Sequence, residues 1–310
     1  MDSGATAARV LLYRDVQKPV AQAEIPGINY TERGTQGLRE FFRALAEVVA
    51  RWGEDRVQHV IVAMAGAGRA AVRARALADT APLLSDHFPQ ADLYLVHDGH
   101  AALWAATGGG QGLVIAAGTG SIAFGVDDNG VEGRCGGWGR LVGDEGSAYW
   151  IAARACNRIF RAEDGRGEAT MLSSLVEEEL RLPATSDLVD WLHAPQRTKV
   201  DIAGLARVVS HAADMGDAVS REILLHAGDE LAAHGTSLLR RLTFGPGVKV
   251  GLTGSVLFGQ ILVRDRVEER LKEARPDCAV ISNARAGEVG AALLLESLIA
   301  RKVAPDITGK

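Results

Sequence analysis

Glycine sets the strongest constraint on this 310-residue chain, because 14 of its 36 glycines fall in the 39 residues from Gly108 to Gly146. Average usage of about 7% would put roughly three there. The stretch does not read as a flexible linker. Strand-like apolar runs, LVIAA (113 to 117) and IAFGV (122 to 126), alternate with its glycines, and an aromatic-bearing run, GGWGRLVGDEGSAYW (136 to 150), closes it. Backbone that lacks Cβ can be approached closely by another group. The segment is therefore expected to face a ligand rather than to join two domains.

On either side the hydrophobic pattern alternates between strand and helix periods. VLLY (10 to 13), VQHVIVA (57 to 63) and DLYLVH (92 to 97) have strand composition. After Thr35, the residues Leu38, Phe41, Phe42, Leu45, Val48, Val49 and Trp52 recur at helical spacing, and Gly53 stands where a C-terminal cap belongs. Further on, DDNG (127 to 130) signals a hairpin. Helices are expected over 146 to 161, 201 to 213, 217 to 242, 256 to 274 and 286 to 301, and strands over 248 to 252 and 278 to 282. This alternation predicts an α/β fold with a mixed β-sheet in each half. The chain also exceeds the length of about 250–300 residues at which a single core usually splits. Each half opens on a strand, a Gly/Thr turn and a second strand, which predicts an internal duplication with a cleft between the halves.

The rest of the composition mainly excludes. A net charge of −5 without a basic run of five or more offers no electrostatic footprint for nucleic acid or an anionic membrane. No stretch approaches 18 uninterrupted apolar residues, and the beginning, with Asp2 and Arg9, lacks the apolar core of a signal peptide, so a cytoplasmic protein is expected. The three cysteines, Cys135, Cys156 and Cys278, have neither disulfide-framework nor metal-site spacing.

Three short motifs stand out, the first two of them phosphate-type turns. Asp2-x-Gly4-x-Thr6 is a tight turn, common for purely structural reasons. Gly118-Thr119-Gly120-Ser121 offers successive backbone N–H groups and two hydroxyls, the equipment of an anion-binding nest. Gly251-Leu252-Thr253-Gly254-Ser255 joins the carboxyl end of a strand to a helix, where free N–H groups favour a ligand. Their order makes the case that each lacks alone, with one at the head of each half and a third after a late strand.

Two acidic sites stand beside them. Asp98 ends the strand LYLVH and precedes a helical run, so it is either an N-cap or a general base that takes a proton from an attacking hydroxyl. Asp144 and Glu145 precede another helix and suit a capping turn. Placed beside Gly136-Gly137-Trp138-Gly139, they equally suit a polyhydroxylated ligand, whose hydroxyls want acceptors in fixed directions. Gly66-Ala67-Gly68-Arg69-Ala70-Ala71 matches a dinucleotide fingerprint, but the acidic residue that pattern needs at the end of the next strand is absent, since Asp86 falls in a loop-like SDHFP. His97 and His100 flank Asp98 without a third metal ligand.

Taken together, these residues resemble the sugar-kinase/Hsp70/actin superfamily, and within it the BadF/BadG/BcrA/BcrD-type ATPase family that includes N-acetylglucosamine kinases. The similarity is carried by Val96-His-Asp98-Gly-His-Ala-Ala-Leu, Gly118-Thr-Gly-Ser121, Gly136-Gly-Trp-Gly139 and Gly143-Asp-Glu-Gly-Ser-Ala-Tyr-Trp150, and runs in family order from Asp2 to the Gly287-Glu-Val-Gly-Ala-Ala helix. The resemblance implies a two-lobed, actin-like or ribonuclease H-like fold with nucleotide in the cleft. The N-terminal lobe would span residues 1–108 with the C-terminal helix of about 286–310, and the second lobe 109–285.

The resemblance also implies ATP and Mg²⁺ as cofactors and an amino sugar as substrate. Asp2, Gly4 and Thr6 match the first phosphate loop, with Asp2 holding Mg²⁺ through water. Thr119 and Gly120 match the second, Gly254 and Ser255 match the adenosine motif, and Gly204 matches a nucleotide contact. Asp98 matches the base that activates the sugar hydroxyl, and Asn29, Ser121, Gly137 and Asp144 resemble sugar contacts.

The expected reaction is phosphorylation of the 6-hydroxyl of N-acetylglucosamine or a related amino sugar. Neither nucleic acid nor membrane is implied as a partner, and a homodimer is compatible. The alternatives are a glucosamine or N-acetylmuramate kinase of the same fold, a non-catalytic sugar-binding regulator, and an ATPase activator of a 2-hydroxyacyl-CoA dehydratase. The activator would need paired cysteines that this spacing disfavours. The chain departs from the family where Ser3 and Ala5 replace glycines and where Thr31 replaces a sugar-stacking Trp of the animal enzymes, which leaves N-acetyl selectivity open. Asp2 follows Met1 directly, so a start further upstream is expected.

Overall fold

The computed structural model describes residues 2–3, 7–14, 19–28, 30–53, 56–66, 70–282 and 287–307, with the backbone alone at Asp2, Ser3, Ala7 and Ala70. Contacts divide the chain into two units, Met1–Gln111 with Ala284–Lys310, and Gly112–Asn283. The first unit contains β1 (Asp2–Ser3), β2 (Ala7–Tyr13), β3 (Pro19–Pro26), α1 (Tyr30–Arg51), β4 (His59–Met64), α2 (Ala70–His87), β5 (Asp92–His97) and α3 (Asp98–Thr107). The second contains β6 (Gly112–Ala117), β7 (Ser121–Val126), β8 (Glu132–Gly136), α4 (Ala148–Glu163), α5 (Leu172–Leu180), α6 (Asp187–His193), α7 (Lys199–Ala203), α8 (Ala206–Asp214), α9 (Ala218–Arg241), β9 (Lys249–Thr253), α10 (Ser255–Gly259), α11 (Ile261–Ala274) and β10 (Ala279–Ile281). Finally α12 (Gly287–Ala300) returns to the first unit.

The two sheets share one plan. The first has the order β3-β2-β1-β4-β5, and the second, read from its other edge, β8-β7-β6-β9-β10. In each, the first two strand pairs are antiparallel and the last two parallel. The repeat of a strand, a Gly/Thr turn and a second strand in the sequence corresponds to this repeated topology.

Alternation along the strands explains the layers. In β4, Val60, Val62 and Met64 pack into one cluster with Phe41, Phe42 and Leu45 of α1, while Ile61 and Ala63 face a second cluster with Ala101 of α3 and Ala291 and Leu294 of α12. Successive side chains of a strand point to opposite faces, so a strand covered on both faces must be apolar throughout. The second unit has one large cluster, in which Leu113, Ile115 and Ala117 of β6 meet Leu231 and Leu238 of α9 and Val263, Val267 and Leu271 of α11.

Several boundaries differ from the sequence reading. The helix expected over 201 to 213 is two, α7 and α8, parted at Gly204 and Leu205, and that expected over 256 to 274 is divided at Gln260. Asp86 lies inside α2 rather than in a loop. The strand β3 was not foreseen. It is an edge strand with proline at both ends and mostly solvent-facing residues, and edge strands carry little hydrophobic signal.

Candidate active site

The glycine-rich stretch forms a hairpin whose turn lies beside a helix start. Strands β6 and β9 run parallel with Ala116 opposite Thr253, so the Gly118–Gly120 turn after β6 and the Gly254–Ser255 step after β9 emerge at the same end of the sheet. Gly254 adopts φ of +96°, and a Cβ there would come within 2.4 Å of the Ala117 carbonyl oxygen. Only glycine allows the two turns this approach. The turn closes on itself, as Gly118 N–H donates to the Gly120 carbonyl at 2.9 Å, and Ala148 N–H donates to the Gly118 carbonyl at 2.9 Å. Ser255 Oγ is the atom nearest a Cβ placed on Gly118, at 3.8 Å. Two backbone turns with glycine on the approach side and a serine hydroxyl make a cradle that fits phosphate oxygens.

The 136–147 segment is clamped onto the head of β7. The Ser121 hydroxyl donates to the Glu145 carbonyl at 2.6 Å, Ser121 N–H donates to Asp144 Oδ1 at 3.3 Å, and Gly137 N–H donates to the Ser121 carbonyl at 3.0 Å. Asp144 is buried, 4% exposed, in the left-handed region at φ of +59°. Asp is among the few non-glycine residues that tolerate this conformation. Thus Ser121, Gly137 and Asp144 are brought together, beside Thr119 and Gly120. The helix that follows is capped by Ser147, whose Oγ accepts the Trp150 N–H at 3.2 Å, so Asp144 is not its cap. At the far end of β7 the Asp127 carboxylate accepts N–H groups of Asn129, Val131 and Thr243. Burial opposes its ionisation, but these donors outweigh burial and hold its carboxyl below the usual carboxylate range.

Two residues of this region escaped the sequence reading. Lys199, the first residue of α7, places its ammonium 2.6 Å from Asp144 Oδ2. The His234 ring of α9 lies against Gly136, with Nε2 3.6 Å from Glu145 Oε2, too long for a hydrogen bond. His234 Nδ1 and Glu145 Oε2 are buried without hydrogen-bond partners. No short motif surrounds either residue, since Lys199 is 55 positions from Asp144. Gly204 caps the C-terminal end of the same short α7.

In the first unit, Asp98 begins α3 but does not cap it. His97 is the N-cap, its Nδ1 accepting the Gly99 N–H at 3.2 Å, while its Nε2 lies 2.9 Å from Asp98 Oδ1. The Asp98 carboxylate is about a third exposed, at 34%, and also accepts Gly99 N–H at 3.0 Å. Burial opposes its ionisation, but the contact with His97 and the Gly99 donor prevail and hold its carboxyl below the usual range. Asp2, expected in a first phosphate loop with Gly4 and Thr6, has its backbone in β1, paired with Arg9 and Ala63, whereas Gly4 and Thr6, and the expected sugar contact Asn29, lie outside the described residues. All three cysteines are free thiols, with Cys156 buried and pushed up to about 11 by that burial. Among the described residues no helix is long and apolar enough to cross a membrane.

Known proteins resemble this chain in sequence and in fold. The chain is 33% identical over 207 residues to the N-acetylmuramic acid/N-acetylglucosamine kinase of Clostridium acetobutylicum, an alignment covering 66% of this chain and 67% of that one. It is 32% identical over 206 residues to the N-acetyl-D-glucosamine kinase of Dictyostelium discoideum, covering 65% of each. A solved structure of a candidate N-acetylglucosamine kinase from Chromobacterium violaceum superposes with a TM-score of 0.72 at 23% identity, over 95% of this chain and 96% of that one, and shares its fold. The fold is thus that of the actin-like sugar kinases, with a mixed sheet and flanking helices in each unit. The profile of one ATPase family matches residues 1–294, and the chain belongs to that family, BadF/BadG/BcrA/BcrD.

Proposed function

We propose that this protein transfers the γ-phosphoryl group of ATP to the 6-hydroxyl of N-acetylglucosamine or a closely related amino sugar. Membership of an ATPase family and two curated sugar-kinase relatives support ATP as donor and a sugar as acceptor. The observation that carries the reading is the clamp in which Ser121 ties the buried carboxylate of Asp144 beside the Gly118–Gly120 turn. It sets a hydroxyl-binding acceptor next to a phosphate-binding backbone.

In this mechanism the N–H groups of Thr119 and Gly120 receive the ATP phosphates, with Gly254 and Ser255 on the adenosine side and Gly204 as a further nucleotide contact. Gly4 and Thr6 belong to the first phosphate loop. Asp2, a hard carboxylate donor of the kind Mg²⁺ prefers, would hold that ion, which would supply neutralisation of phosphate charge. Asn29, Ser121, Gly137 and Asp144 hold the sugar ring. Asp98 accepts the proton of the 6-hydroxyl as its oxygen bonds to the γ-phosphorus, the bond to the β,γ-bridging oxygen breaks, and ADP leaves. A carboxyl held below its usual range is ionised at neutral pH and so is ready to accept that proton.

A coupled ADP-release assay over N-acetylglucosamine, glucosamine, N-acetylmuramic acid and glucose tests the reading. One amino sugar should raise ADP release far above the rate in water. Equal rates with and without every sugar would refute it.

A further inference from the structure

The pair formed by Lys199 and Asp144 has a use beyond the residues named so far. Asp144 is almost fully enclosed, and Lys199 Nζ is 2.6 Å from its Oδ2, while Oδ1 is taken by Ser121 N–H. A Cβ on Gly120 would sit 2.9 Å from Asp144 Oδ1 and 3.0 Å from Lys199 Nζ, so the pair is pressed against the phosphate-type turn. The lysine is itself held from behind. Thr198 and Asp201 form a capping box at the start of α7, with Thr198 N–H donating to Asp201 Oδ2 at 2.8 Å and Asp201 N–H donating to Thr198 Oγ1 at 3.2 Å. Arg197, one residue earlier, stacks its guanidinium 3.8 Å over the Trp191 ring and donates through Nε to the Trp191 carbonyl.

We infer that Lys199 is a positioning residue for sugar binding, which fixes the Asp144 carboxylate in the direction a sugar hydroxyl requires. The inference rests on the sugar-kinase reading above. A carboxylate has two oxygens and about four acceptor sites. With Oδ1 fixed by backbone and Oδ2 by the ammonium, the remaining lone pairs have set directions, and a donor hydroxyl meets them without reorganisation. Removing the partner of a buried charge leaves that charge uncompensated, so without Lys199 the enclosed Asp144 carboxylate would turn or recruit water.

The test is a kinetic comparison of Lys199→Met, Lys199→Arg, Asp144→Asn and the Lys199→Met/Asp144→Asn double variant. Lys199→Met should raise the sugar KM by roughly tenfold or more, the scale of a lost charged hydrogen bond, with the ATP KM within about twofold of wild type. Lys199→Arg should restore most of the sugar affinity. The double variant should be no worse for sugar than Asp144→Asn alone, because the lysine acts through that carboxylate. A raised ATP KM with unchanged sugar KM, or effects that multiply in the double variant, would overturn the inference and make Lys199 a direct phosphate contact.

If Lys199→Met does not fold, Lys199→Gln gives the same comparison, since it keeps a polar side chain and loses the charge. Should the wild type phosphorylate no sugar, the functional reading fails by itself. Direct titration with N-acetylglucosamine in the absence of nucleotide then decides the inference, which fails if Lys199→Met binds that sugar as wild type does.

Discussion

His97 orients Asp98: the imidazole accepts the Gly99 N–H through Nδ1 and sets Nε2 2.9 Å from Asp98 Oδ1. The ring meets the Gly99 N–H through one nitrogen and the Asp98 carboxylate through the other. A cap and a carboxylate partner are thus one residue.

Asp98→Asn should fold and lose turnover by about 10²–10⁴-fold, the usual share of a general base. Thermal melting and steady-state kinetics check both parts. Near-wild-type turnover in Asp98→Asn would remove Asp98 from the base role.

His97→Ala has a separate, pH-dependent signature. In the native chain burial pushes the Asp98 carboxyl up, and the His97 and Gly99 contacts push it further down, to a net position below the ordinary 3.8. Its ionised form is therefore kept above that value and lost only as pH falls through the depressed one. Without His97 burial acts with less opposition, so the acid limb of the kcat profile should move to higher pH. A kcat profile with an unmoved acid limb would show that His97 only caps α3.

Gly254→Ala should destabilise the second unit by about 1–3 kcal/mol, since φ of +96° disfavours any side chain and the new methyl would meet the Ala117 carbonyl. Chemical denaturation measures this directly. An unchanged midpoint would mean that the β6 and β9 turns can separate at little cost.

His234 should make stability fall in mild acid. Burial holds the imidazole below its ordinary 6.5, with the charges of Glu145, Glu230 and Asp144 opposing that shift only in part. The unfolded chain then takes up a proton near pH 6.5 that the folded chain refuses, so stability is full above that pH and declines as pH falls through it. In His234→Gln the melting temperature should fall less between pH 7 and pH 5.5 than in wild type. Parallel profiles would contradict this.

Much of this was legible because it is local. The Gly118–Ser121 and Gly254–Ser255 turns, Asp98 at a strand end and the repeated strand-turn-strand plan are each written within a few residues. Lys199 and His234 were not, because they reach the site from α7 and α9 through tertiary packing, and a lone lysine or histidine on a helix looks like any surface or core residue. Asp98 read as either a cap or a base, the first because Asp is a favoured N-cap. The preceding His97 takes that place, a rarer choice that sequence preference does not suggest. The acidic run at Asp144 read equally as a cap or a ligand site, and Ser147 as the actual cap removes the first of these for Asp144.

The site of phosphorylation tests the central claim most directly. The wild-type protein is incubated with Mg·ATP and N-acetylglucosamine, and the product is examined by phosphorus–proton correlation NMR. The account predicts a phosphorus coupled to the two protons on carbon 6, with one ADP formed for each sugar phosphate. A phosphorus coupled to the proton on carbon 1, or ADP formed together with inorganic phosphate alone, would contradict it.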